Sequence, residues 1–241
     1  MNLIIDIGNT HVKSAVFQGE TIIFQKRFTI MALKDTMRFI FDRYPIERTI
    51  ISNVSKLPKT VGKEIFKQYD AHQLTHHSKI PFKNRYTTPE TLGVDRIALT
   101  AAAAHRFPAR NVLVIDAGTC ITYDFLNAEN EYLGGAISPG ISMRYKALHT
   151  FTGNLPLLQP DDFSDVTGNS TASSIHSGVI NGIIHEINGI IAQYKEKYED
   201  LTVILTGGDT QLLSERLKNS IFVEPNFLVT GLNIVLEHNK P

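Results

Sequence analysis

Cysteine is almost missing from this chain. Cys120 stands alone among 241 residues, so an internal disulfide and a cysteine zinc cage are both excluded. An excess of one charge is missing too: 24 Lys and Arg balance 24 Asp and Glu. With no basic stripe or long Lys/Arg block, nothing supports nucleic-acid binding. Long hydrophobic runs are also lacking; the apolar stretches are strand-sized, and no membrane span is expected. The chain passes from Met1 straight into such a stretch, so no signal peptide is expected and a cytoplasmic location is the natural one. The nine histidines are scattered, and His76-His77 lies in a polar stretch where solvation is expected rather than metal binding. At 42% hydrophobic and 20% charged residues, the chain can build ample core, as one large domain or two intimately packed ones.

What is there begins with a repeat. Asn2-Leu-Ile-Ile-Asp-Ile-Gly-Asn-Thr10 is echoed by Asn111-Val-Leu-Val-Ile-Asp-Ala-Gly-Thr119. Each copy is an apolar run ending on a carboxylate, then one apolar residue, a glycine and small hydroxyl or amide residues, then a second apolar run. That pattern reads as strand, tight turn, strand. Glycine lets a phosphate approach the backbone, and the flanking N–H and hydroxyl groups are candidate donors to it. Asp6 and Asp116, at the strand ends, are placed to hold a cation or to orient a phosphate through water. One such turn alone is ordinary; two copies after buried-type strands point to two related halves gripping one nucleotide.

A coarse reading places strands near 2–6, 12–18, 21–27, 49–53 and 72–75 in the first half, with helices near 35–43, 59–69 and 95–107. Residues 76–91, rich in Pro, Thr, Lys and Asn, read as a working loop or a linker. The second half has strands near 112–116, 120–126, 132–137, 202–206 and 221–223. Pro139 suits the first turn of a helix reaching 149. A long helix over 171–198 follows from the helical spacing of Ile175, Val179, Ile183, Ile187, Ile190, Ile191 and Tyr194, and helices near 209–218 and 226–238 close the chain. The expected division is 1–110 and 111–241.

Four further elements carry chemistry. Leu205-Thr-Gly-Gly-Asp209, between a strand and a helix, permits close ligand approach at Gly207 and Gly208, and Asp209 can cap the helix. In Tyr86-Thr-Thr-Pro-Glu-Thr-Leu-Gly-Val-Asp-Arg96, a loop becomes a helix. Asp95 there can accept a proton from a substrate hydroxyl and Arg96 can clamp a carboxylate or phosphoryl group; an N-cap beside a surface arginine explains the same residues. Thr167-Gly-Asn-Ser-Thr-Ala-Ser173 is either a hydroxyl-rich cap or an anion contact. Gly134-Gly135 with Ser138-Pro-Gly140 is expected to line the same cleft as the second hairpin.

In this order the elements resemble the type III pantothenate kinases, over nearly the whole span from Asp6 to Asp209. The two Asp-x-Gly turns are shared across the acetate-kinase, sugar-kinase, Hsp70 and actin superfamily, whereas Gly93-Val-Asp-Arg96 with Tyr86 upstream is far more specific. The resemblance implies an α/β fold of two ribonuclease-H-like halves around a nucleotide cleft. It implies ATP-dependent phosphorylation of pantothenate, the first step of coenzyme A biosynthesis. Asp6, Gly8, Asn9, Thr10 and Lys13 would then meet ATP, as would Thr119, with Gly207 and Gly208 on the adenosine side. Asp95 would be the general base; Tyr86, Gly93, Val94, Asp95, Arg96 and Thr171 would contact pantothenate; Asp116 would ligate a monovalent cation. Magnesium-ATP, potassium or ammonium, and a homodimer belong to the same implication. Another small-molecule kinase of the superfamily, or a non-catalytic regulator on the same fold, are the alternatives. The regulator should have lost a key carboxylate, and Asp6, Asp95 and Asp116 are all present.

Overall fold

The computed structural model describes residues 1–8, 11–54, 69–162, 165–217 and 221–240. They form two compact units: Met1–Pro108 with Asn130–Tyr132 and Asn226–Pro241, and Ala109–Glu129 with Leu133–Pro225.

In the first unit, β1 (Asn2–Ile7), β2 (Val12–Gln18), β3 (Thr21–Phe28), β4 (Arg48–Asn53) and β5 (His72–Gln73) form one sheet in the order β3-β2-β1-β4-β5. β1 runs antiparallel to β2 and parallel to β4. All six residues of β1 are buried, as a central strand covered on both faces requires. Leu3, Ile5 and Ile7 cluster with Leu33, Met37 and Ile40 of α1 (Leu33–Arg43). α2 (Val94–Arg106) packs on the C-terminal helix Phe227–His238, which also contacts β1 and β4. The alanine-rich face of α2, with Ala98, Ala101, Ala102 and Ala103 fully buried, lets the two helices approach closely. β6 (Lys83–Asn84), inside the stretch read as a loop, pairs with Glu131 and Tyr132.

In the second unit, β7 (Val112–Ala117), β8 (Cys120–Leu126), β9 (Glu131–Pro139), β10 (Thr202–Thr206) and β11 (Phe222–Val223) run in the order β11-β10-β7-β8-β9. Here β7 is antiparallel to β8 and parallel to β10. Counted within its own unit, each sheet therefore reads 3-2-1-4-5, so the repeated turn belongs to a repeated topology. The helices are α3 (Ile141–Thr150), α4 (Thr171–His176), α5 (Gly182–Lys197) and α6 (Thr210–Ser214). Ile183, Ile187 and Ile191 of α5 are fully buried with Leu113, Ile115, Tyr123 and Leu205 of the sheet.

Three expectations need correction. Pro139 is the last residue of β9 and not the first of a helix; Gly140, extended at φ −71° and ψ 173°, precedes α3. The long helix carries a π turn, Ser177–Asn181, between α4 and α5. Ile175, Val179, Ile180 and Ile183 recur at spacings that an unbroken α-helix would also give, so spacing does not reveal it. The helix read over 209–218 is the five-residue α6. The helix expected near 59–69 falls on residues outside those described, apart from Tyr69.

Candidate active site

The first unit builds one cluster on the end of β1. Asp6 stands opposite Lys13 of β2 and Ser52 of β4. It is only 5% exposed, with one carboxylate oxygen, Oδ1, buried and without a hydrogen-bond partner; Ser52 Oγ is likewise buried and unpartnered, yet near enough to ease the charge on Asp6. Burial pushes the Asp6 carboxyl up to about 6. Lys13 pulls it down, Asp95 pushes it up, and Ser52 pulls it down. The turn closes through Gly8 N–H donating to His11 O at 3.1 Å. That amide is therefore not one of the donors expected to face a phosphate. Asn9 and Thr10 lie outside the described residues.

The same unit carries Tyr86 and the start of α2. The N-cap position belongs to Gly93, which makes no side-chain cap bond, and Asp95 is the second residue of the helix. Asp95 is thus not the N-cap that its sequence position also allowed. Its Oδ1 accepts from the Arg96 amide at 2.9 Å and folds back over Gly93, where a Cβ would sit 2.4 Å from it. Burial raises the Asp95 carboxyl above its ordinary range, against the Arg96 amide and charge. Arg96 is not a surface arginine: it is 4% exposed, with its guanidinium 5.7 Å from the centre of the Tyr86 ring. Tyr86 in turn stacks on Tyr132 at 6.1 Å.

In the second unit the Gly118-Thr119 turn joins β7 to β8 and closes one residue tighter than the first copy, Gly118 N–H donating to Cys120 O at 2.9 Å. Two glycines converge on it. A Cβ on Gly207, whose φ is +102°, would lie 2.2 Å from Ala117 O and 2.5 Å from Asp116 Oδ1. A Cβ on Gly140 would lie 2.1 Å from Gly118 O. Side chains are excluded at both places, so the three turns share one end of the sheet. Thr119 and Gly208 are exposed there. Asp209 occupies the N-cap position of α6 without a side-chain cap bond, contrary to its expected capping role. Gly134 and Gly135 do not join the turns. They line a cavity with Phe125, Tyr194 and Tyr198, toward the other end of β8.

The polar stretch before the long helix is a capping box: Ser173 N–H donates to Ser170 Oγ at 3.2 Å, and Ser170 N–H to Ser173 Oγ at 2.9 Å. Thr171 is left exposed, at the edge of a cavity of about 750 Å³ lined also by Arg144, Leu148, Leu155, Ile175 and Val179.

Sequence reading missed Ser52 and Arg144. No motif marks Ser52; it reaches Asp6 only through the register of two parallel strands. Arg144 follows the glycine element by four residues, and that spacing onto a helix was the one available signal.

Asp6 bears on stability as well as chemistry. Its folded value of about 6 exceeds the ordinary 3.8, so its contribution to stability is full below about pH 4 and is lost as pH rises through 6. Ligand-free Asp6→Asn is expected to be more stable than the parent at pH 7.5 by on the order of 2–3 kcal/mol, and so to unfold at a higher temperature. At pH 4.5 the gain should shrink. A variant no more stable at pH 7.5 would refute this account of the buried carboxylate.

Comparison with known proteins identifies the class. A glucokinase from an Antarctic psychrotroph superposes with a TM-score of 0.53 at 13% identity, over 99% of both chains. A ROK family glucokinase from Streptomyces griseus gives 0.52 at 10% identity, over 98% of both. A Campylobacter jejuni protein assigned to the Baf family of transcriptional activators gives 0.64 at 22%, over 98% of both. At these identities the likeness is one of fold: α/β, in two halves of the actin-like sugar-kinase type. The family model for type III pantothenate kinase matches residues 2–193. A type III pantothenate kinase of Christiangramia forsetii is 51% identical over 241 residues, covering 100% of this chain and 99% of the relative. One from Bacteroides fragilis is 42% identical over 241 residues, again covering 100% and 99%. The chain belongs to the type III pantothenate kinase family, and it is an enzyme of the kinase class. Among the described residues, no helix is long and apolar enough to cross a membrane.

Proposed function

We propose that this enzyme transfers the terminal phosphoryl group of ATP to the primary hydroxyl of pantothenate, giving 4′-phosphopantothenate and ADP at the first step of coenzyme A biosynthesis. The observation that carries the reading is the Tyr86–Asp95–Arg96 arrangement. It combines a carboxylate of raised proton affinity, steered by the Arg96 amide, with a buried cation on an aromatic ring. Phosphoryl transfer asks for positioning and charge neutralisation more than covalent chemistry, and this set provides both.

Asp95 accepts the hydroxyl proton. Tyr86, Gly93, Val94 and Arg96 hold the acceptor, Arg96 opposing its carboxylate or the transferring phosphoryl; Thr171 is a further contact. Asp6, Gly8, Asn9, Thr10 and Lys13 meet the phosphates of ATP, and Thr119, Gly207 and Gly208 are further ATP contacts. Kinases of this family use a divalent cation with ATP, and the buried Asp6 Oδ1 that lacks a partner suits one. Bound magnesium supplies neutralisation of phosphate charge. Asp116 is the ligand of potassium or ammonium, a carboxylate oxygen being a donor suited to such a cation. A cytoplasmic location goes with the pathway.

The enzyme acts as a homodimer. The isoleucines of α5 do not support this, because Ile183, Ile187 and Ile191 are covered by their own unit and Ile184 and Ile190 pack against the same core. Support comes instead from the apolar cavity beside Thr171 and from Ile137, Phe151 and Leu157, all exposed in the same unit. Light scattering at micromolar concentration should give about twice 26.9 kDa, and dilution below the dimer constant should cost activity together with mass. Full activity in a monomer would remove the dimer and leave the chemistry intact.

A coupled ADP-release assay over a panel of small hydroxy acids tests the main reading. ADP release should depend on pantothenate. Equal release with other hydroxy acids would favour another kinase activity, and none with any acceptor would favour a regulator.

A further inference from the structure

Arg144 sits one helical turn beyond Gly140, its amide donating to Gly140 O at 3.1 Å. Its side chain turns back on the joint between β9 and α3. Nε donates to Pro139 O at 2.9 Å, and one terminal nitrogen, Nη2, donates to Ser138 Oγ at 2.8 Å and to Glu186 Oε2 at 2.5 Å. Glu186 reaches in from α5, and its other oxygen accepts from Tyr123 Oη at 2.9 Å. Tyr123 is fully buried in the middle of β8. Burial works to raise the Glu186 carboxyl, but hydrogen bonds from Arg144, Ser138 and Tyr123, with the Arg144 charge, hold it below its ordinary range.

This network ties three elements, the β9–α3 joint, α5 and β8, at a place with no room for play. Gly140, inside the joint, donates its N–H to Thr119 O at 3.2 Å and stands against Gly118 O and Thr119 O so closely that a Cβ would clash with both. Any shift of the joint is passed to the Gly118-Thr119 turn. A planar guanidinium with several fixed donors suits such a task, because one side chain fixes two positions of the strand end relative to a helix. At 22% and 26% exposure, Arg144 and Glu186 are shielded enough to hold their geometry, and stability alone does not call for a fork aimed at a turn.

We propose that Arg144, oriented by Glu186, is a positioning residue for the nucleotide-contacting turn Gly118-Thr119. This rests on the reading of that turn as an ATP contact. The pair touches no reacting atom; it holds the backbone against which the nucleotide is placed.

The test uses full-length Glu186→Gln, Arg144→Gln, the double variant and Thr119→Ala. ATP affinity is read by calorimetry, with both Michaelis constants and the melting temperature read in parallel. Each single glutamine variant should raise the dissociation constant and the KM for ATP by about tenfold, with the KM for pantothenate changed by less than about twofold. The double variant should be no worse than the poorer single one, since both break one link. If a glutamine variant fails to fold, Arg144→Lys, which keeps the charge and loses the fork, carries the same expectation. A lower melting temperature with unchanged ATP affinity would reduce the pair to a structural clamp and overturn the proposal. So would a change confined to the KM for pantothenate, since Arg144 also lines the cavity beside Thr171. Thr119→Ala separates the premise. If it leaves ATP affinity intact, the turn is not a nucleotide contact and the proposal falls with that reading. If it weakens ATP and the pair variants do not, only the positioning role is lost.

Discussion

Asp95→Asn is expected to lower turnover about a hundredfold or more while leaving ATP affinity little changed. Asparagine keeps the shape and can still accept the Arg96 amide bond seen at 2.9 Å, but it cannot accept a proton. The raised carboxyl value adds a second expectation. A base must be ionised to act, so the acid limb of kcat/KM for pantothenate should lie above the ordinary aspartate range and vanish in the variant. Gly93→Ala approaches the same chemistry without replacing the carboxylate. A methyl group there would stand 2.4 Å from Asp95 Oδ1, and the acid side chain, being the movable partner, must swing away. It should depress turnover in the same direction. Near-normal turnover in Asp95→Asn would leave this residue no role beyond its place in the first helical turn.

The second large effect concerns Asp116. Activity in a sodium or Tris buffer should rise severalfold when potassium is added, and Asp116→Ala should abolish that rise. Phosphates near a strand-end carboxylate repel it, and a monovalent cation held by Asp116 relieves the repulsion. Gly207, just after β10, packs its backbone against Asp116 Oδ1 and Ala117 O, and β10 is the parallel neighbour of the strand that carries Asp116. Full activity in the parent without potassium or ammonium would dispose of the cation at this site. Persistence of potassium activation in Asp116→Ala would move the cation elsewhere.

Much of the fold was legible because burial writes itself into the sequence. β1, β7 and β10 are covered on both faces, and a strand so placed must be an unbroken apolar run. The glycine turns at 8 and 118 were legible for a related reason, since a tight connection between two such runs restricts the residues that fit. The weaker elements were legible only in part. The strands expected near 72–75 and 221–223 are the two-residue β5 and β11, whereas β6, also two residues, is too short to show any period and was read as loop. The C-terminal helix joins the first unit through contacts with α2, β1 and β4, which its own apolar pattern cannot indicate. The π turn in the long helix is invisible to a count of apolar spacing.

The chemistry divides along the same line. By itself the sequence determined which groups were available: three carboxylates following or flanking glycine turns, a tyrosine and an arginine near one of them, and no cysteine set for a metal. Those are local facts, set by residue type and spacing. Tertiary structure alone decided which groups meet. Ser52 lies 46 residues from Asp6 and reaches it through strand register. Glu186 finds Arg144 across 42 residues, because α5 lies on the sheet beside the β9–α3 joint. Asp95 raises the proton affinity of Asp6 only because the start of α2 comes down near the end of β1. Coulomb and desolvation energies depend on separation in space and on depth from water, and neither quantity is a property of position along the chain.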